Sequence, residues 1–141
     1  MLGLGLNIAT AALNVTLGPE LVTDGDFSSA INWTVGTNWN INTTLGILEA
    51  TVGTGAYKVE QDINPTVGKT YRFTYIISLE EYAGGMGLLI GGCFALTSLN
   101  ANAVGTYIFD VECTSISDFY LSKAAGGWIG SIPNVSVKEV L

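Results

Sequence analysis

The chain has 141 residues, the length of one domain, and folding at that size buries roughly 70% of the surface an unfolded chain exposes, so neither disulfide nor metal is needed for a core. Hydrophobic residues make up 48% and charged residues only 12%, about half the usual ~25%, which leaves much of the surface neutral or apolar and suited to a partner. The net charge of −7, with five Lys and Arg in all, excludes nucleic acid as a partner, because phosphate binding needs clustered cations.

Residues 1–19 read as an apolar arm ahead of a domain at 20–141. Leu2, Leu4 and Leu6 alternate with Gly3, Gly5 and Asn7, a small apolar run follows through Ile8 and Leu13, and Gly18-Pro19 makes a break. Two uses are open: an extra edge strand on its own sandwich, or an arm that pairs with a neighbouring subunit, with Leu2, Leu4, Leu6, Ile8 and Leu13 as docking residues. No Lys or Arg occurs before Lys58, so the apolar start lacks the positive region of a secretory signal peptide, and export by that route is not expected.

Beyond the arm, period-two alternation is the dominant signal and predicts strands with one buried face. Short strands are expected at Trp33–Val35, Trp39–Asn42 and Ile47–Val52. In 57–63, Tyr57, Val59 and Ile63 face inward while Lys58, Glu60 and Asp62 face outward. A turn at Asn64–Lys69 leads into Thr70–Ile77, whose Tyr71, Phe73, Tyr75 and Ile77 share the buried face. Leu88–Ile90 is next, within an apolar stretch, Met86–Leu96, far below the ~20 residues that span a bilayer, so no membrane partner is expected. Tyr107, Phe109, Val111 and Cys113 then point inward, Phe119–Leu121 forms a short strand, and Val135 and Val137 point inward from the last one. Many short strands with turns every 8–12 residues predict an all-β antiparallel sandwich or barrel. Cys93 and Cys113 both sit in apolar contexts and are read as buried thiols rather than a disulfide.

Leu21-Val22-Thr23-Asp24-Gly25-Asp26-Phe27-Ser28 near the start, then Trp33-Thr34-Val35, Trp39-Asn40-Ile41, Gly68-Lys69-Thr70-Tyr71-Arg72-Phe73, Gly105-Thr106-Tyr107-Ile108-Phe109, and Asn134-Val135-Ser136-Val137-Lys138-Glu139 at the end together resemble the carbohydrate-binding-module-like jelly rolls. The resemblance spans roughly Pro19 to Leu141 and implies an antiparallel jelly-roll β-sandwich with an N-terminal arm. Many members hold a structural calcium between first and last strands. Here Ser28 follows Phe27 and Pro133 precedes Asn134, which leaves only Asp24 and Asp26, so neither a metal nor another cofactor is expected.

Stand-alone domains of this kind also resemble tailed-phage virion proteins. That implies a non-enzymatic structural protein, a capsid decoration or cement protein made in the host cytoplasm and located in the virion. It would dock on the major capsid or another virion protein through its arm and associate with itself, a trimer being favoured by analogy. Burying Leu2, Leu4, Leu6 and Ile8 would supply ~6–12 kcal/mol, against ~12–24 kcal/mol for ordering about twelve residues. Such an arm needs backbone pairing and several copies acting together.

Catalytic signals are thin. The chain has no His, the usual general base and triad member. Carboxylates at Glu80-Glu81 or at Asp110 and Glu112 could in principle flank a glycosidic bond, but they read as solvated charge, and no enzyme activity is expected. The alternative function is a glycan-binding module of a phage fibre or receptor-binding complex. It would stack sugars on Trp128, Tyr120, Tyr82 or Trp39, with Asn38 and Asn40 alongside. Alternation turns Trp39 inward, whereas Gly126-Gly127-Trp128 predicts an exposed loop tip.

Overall fold

A computed structural model describes residues 14–53, 58–83, 88–95, 97–98, 103–123 and 128–141, and of 80–83 and 98 the backbone only. Tyr71, Phe73, Tyr75 and Ile77 lie buried on one side of β6 (Thr70–Ile77), each separated from the next by a more exposed residue, as a half-buried strand requires. On one edge β6 pairs with β10 (Gly105–Glu112) and on the other with β13 (Asn134–Val140), which in turn pairs with β1 (Leu17–Glu20). This first sheet runs β1-β13-β6-β10.

A second sheet consists of β2 (Thr34–Val35), β5 (Lys58–Gln61), β11 (Phe119–Lys123), β8 (Leu88–Gly91) and β9 (Thr97–Ser98). The third holds β3 (Trp39–Asn42), β4 (Ile47–Ala50), β12 (Trp128–Ile132) and β7 (Leu79–Ala83). All strand pairs are antiparallel, and no helix occurs among the described residues, so the domain is an all-β jelly-roll sandwich.

Aromatic rings join the first two sheets. Phe73 lies 5.8 Å from Phe119, Tyr71 lies 5.9 Å from Phe94, and Trp33 bridges Phe27 and Phe119 at 5.4 and 6.1 Å. Such tilted and edge contacts add ~0.5–1.5 kcal/mol each beyond area burial. The third sheet continues the first: only Ser78 separates β6 from β7 and only Pro133 separates β12 from β13, and Ser78 N–H donates to Ser131 O at 3.0 Å across the junction.

Leu17–Glu20 is an edge strand of the first sheet, and Pro19 is tolerated there because an edge strand can spare an N–H. Other sequence expectations are corrected. Leu21–Ser28 is no strand but a series of turns, in which Asp24 and Phe27 take φ of 54° and 55° and Phe27 N–H bonds Asp24 O at 3.0 Å. That conformation drops the Phe27 ring fully into the core. The buried Gln61 clamps this loop, accepting from Thr23 N–H at 2.7 Å and donating to Thr23 O at 2.9 Å. Strands at Leu79–Ala83, Thr97–Ser98 and Trp128–Ile132 were not foreseen, because Gly-rich stretches beside them mask the alternation.

Candidate functional site

The third sheet carries a cleft of about 290 Å³, lined by Glu49, Ala50, Thr51, Val52, Leu79, Ile129, Gly130 and Ser131. Its placement follows from alternation. In β4, Leu48 and Ala50 are buried, so Glu49 between them faces outward; in β3, Trp39 is buried and Asn40 is exposed. Strand register then sets a row across the sheet, with Asn40 opposite Glu49, Glu49 opposite Ser131, and Ser131 opposite Leu79. Asn40 Nδ2 donates to Glu49 Oε2 at 2.7 Å. A carboxylate offers about four acceptor positions, so Glu49 retains capacity for a ligand's donors.

Apolar walls complete the cleft. Leu79 and Val52 are exposed and Ile129 is half-buried. Thr51 N–H bonds Asn38 O at 2.9 Å and extends the β3–β4 ladder, while Asn38, at φ 66°, packs so close to Gly53 that a Cβ there would lie 2.1 Å from its Nδ2. Gly130 forms part of the floor: a side chain at that position would meet Leu79 O at 2.4 Å and the Trp128 ring at 2.5 Å.

The four aromatic candidates for sugar stacking do not converge. Trp128 is not at a loop tip but opens β12 and is fully buried, its ring lying against Gly130 and its Nε1–H without a hydrogen-bond partner among the described residues. The flanking glycines precede a strand there and do not mark exposure. Trp39 is buried, as its alternation indicates. Tyr120 is half-buried on the outer face of the second sheet, where one face of its ring lies on Gly91 and the Lys58 ammonium stands 5.2 Å from its centroid. Lys58 is itself ion-paired with Glu60 at 2.6 Å, and both its hydrogen bond and its charge raise the lysine pKa. Tyr82 is described only by its backbone, which pairs with Ile129 at the cleft. Leu2, Leu4, Leu6, Ile8 and Leu13 lie outside the described residues.

Other candidates have structural roles. Asp110 binds Arg72 through two contacts of 2.8 and 3.0 Å, which hold the carboxyl below its ordinary value. Asp24 accepts from Asn32 Nδ2 at 2.7 Å, and Asp26 accepts from Ser28 N–H and Oγ at 3.1 and 2.8 Å. Beside them, Glu20, Val22, Gly25, Asp26, 134–136 and Lys138 line a second groove of about 320 Å³, crossed by Glu20 bonds to Val137 N–H and Ser136 Oγ at 2.8 and 2.5 Å. Among the described residues no three His, Cys, Asp or Glu side chains are grouped to hold a metal ion. Cys93 and Cys113 are buried thiols. Lys123 is buried too; its Nζ bonds Thr51 O beside the cleft, and desolvation holds its pKa below the usual lysine value.

The sequence points to Asn40 as a polar group beside a sugar-stacking aromatic, but not to Glu49, Ser131 or Leu79. One signal was available: Glu49 is the only charged residue between Asp26 and Lys58, and an isolated carboxylate among strand residues is conspicuous.

No family model matches the chain, and no curated protein does. A solved structure titled "BiXyn10A CBM1 APO" is similar over 90% of this chain and 88% of that chain, with 16% identity and a TM-score of 0.46. The likeness concerns the fold.

Proposed function

We propose that this domain is a non-catalytic glycan-binding module whose ligand occupies the cleft of the third sheet. The observation that carries the reading is the cleft lining itself: Glu49, held by the Asn40 amide of the next strand, and the largely buried Ser131 stand beside the apolar Val52, Leu79 and Ile129. A sugar ring has the same division, with hydroxyls at its edge and C–H groups on its faces. The cleft volume of about 290 Å³ falls at the small end of ligand sites, ~300–1,000 Å³, which fits a short stretch of glycan.

Affinity electrophoresis against a panel of neutral polysaccharides tests this. At least one should retard the protein, and Glu49→Ala should weaken that interaction about tenfold or more, since hydrogen bonds to a charged group are worth ~1.5–3 kcal/mol. Failure of every polysaccharide, or an undiminished Glu49→Ala variant, overturns the reading.

A second reading, a virion structural protein that docks on a capsid or other particle protein, is supported by the low charged fraction of 12%, which leaves much of the surface neutral or apolar. Its test is co-purification with particles in copy numbers comparable to the coat protein; absence from purified particles removes it.

A further inference from the structure

Sheet edges expose unpaired N–H and C=O groups, and folded proteins blunt them with short strands, Pro, Lys or bulges. Most edges here are blunted. In the first sheet β1 carries Pro19 and a register shift, and the second sheet ends in β2 and β9, two residues each. Strand β10 is the longest edge, against four and five residues in β3 and β7 of the third sheet: it is eight residues long, has neither Pro nor Lys, and pairs with β6 without a shift from Gly105↔Ile77 to Glu112↔Thr70. Among the described residues no strand pairs with its other edge.

The orientation of its backbone groups can be derived. Cys113 N–H bonds Lys69 O at 2.9 Å, on the β6 side, so the alternation of an antiparallel ladder sends Thr106, Ile108 and Asp110 N–H and C=O groups to the open edge. Phe94 bridges Cys113 and closes that end, which leaves Thr106–Asp110 accessible. Within this stretch Ile108 is 60% exposed, while Tyr107 and Phe109 are only partly buried where they lean on Tyr75 and Phe73, at 4.9 and 5.2 Å.

We infer that β10 pairs antiparallel with β10 of a second copy, about a twofold axis through Ile108. The stretch is self-complementary in that register. Ile108 faces Ile108 of the other copy, Thr106 faces Asp110, and Tyr107 faces Phe109. No carboxylate meets another, and Asp110 already has the Arg72 guanidinium beside it. The three outward-directed residues of each strand supply ~six cross-strand hydrogen bonds by the ladder alternation. Centring the axis on Phe109 would set Ile108 against Asp110, an apolar side chain against a charge. The fitting occupant is thus a second copy of the chain. Five paired residues per copy make a small interface, so the dimer is weak and concentration-dependent.

Sedimentation velocity of the full chain, from micromolar to near-millimolar concentration, should show a monomer giving way to a dimer. Ile108→Lys sets two ammonium groups face to face on the axis and should abolish the dimer; the exposed position leaves the fold intact, which circular dichroism checks. Ile108→Cys should cross-link as a dimer under diamide, each pair of thiols giving up two hydrogens to the oxidant, because Cα atoms ~5.5 Å apart suit a disulfide. Thr106→Cys, far from its own copy in this register, should not. A monomer at every concentration overturns the inference. So does association that Ile108→Lys leaves unchanged, and association that disappears on removing 1–13 but survives Ile108→Lys identifies the N-terminal segment as the occupant instead.

Discussion

At the scale of single residues, the core is decided by a few positions with no room for change. Gly25 is one, since a Cβ there would lie 2.1 Å from Val135 O. Gly25→Ala should therefore destabilise at the upper end of the ~0.5–3 kcal/mol range for point mutants, read from urea midpoints. Trp128 behaves oppositely. Its buried Nε1–H has no partner among the described residues, a cost of ~1–3 kcal/mol, so Trp128→Phe recovers that penalty while losing packing, and the net change in stability should stay within about 1 kcal/mol. Burial pushes the Cys93 thiol up from 9.0 to about 12. The folded state then keeps a proton that the unfolded chain loses above pH 9, so this residue's contribution holds below pH 9 and falls away as pH climbs towards 12. Native protein should resist a thiol reagent that titrates both cysteines in denaturant, and Cys93→Ala should soften the alkaline decline in melting temperature.

Elements show what the sequence could and could not disclose. Where alternation was uninterrupted, as in Thr70–Ile77 and Trp39–Asn42, strand limits and buried faces were legible, because period two and aromatic β-propensity act together. Leu21–Ser28 is placed in a first strand only by the family resemblance; in the structure Asp24 and Phe27 adopt left-handed backbone, which no spacing reveals. The cleft was illegible for another reason: Glu49, Ser131 and Leu79 come from three strands and meet only through register. The same long-range logic holds the groove between loop and last strand. Glu20 accepts from Val22 and Val137 N–H groups at 3.2 and 2.8 Å and stitches β1 to β13. Glu20→Ala should cost about 1–3 kcal/mol, measured by chemical denaturation, while a chelator should leave the melting temperature unchanged because Asp24 and Asp26 are engaged by Asn32 and Ser28.

On the scale of the whole molecule, the jelly roll sets different tasks on different faces. The third sheet offers a cleft, the first an open edge at β10, and the second a covered aromatic, Tyr120, under a lysine. Cleft and open edge lie in separate sheets, so glycan binding and self-association should be independent: Ile108→Lys should leave polysaccharide retardation of the monomer unchanged, and Glu49→Ala should leave the dimer unchanged. Sheet order also has a mechanical side. Leu17 pairs with Val140, and Leu141 N–H bonds Thr16 O at 3.0 Å, so the two chain directions leave the first sheet at the same end of one antiparallel pair. A pull applied through Thr16 and Leu141 would load those bonds one at a time, opening the pair as a zipper opens, and the domain should yield at low force along that axis.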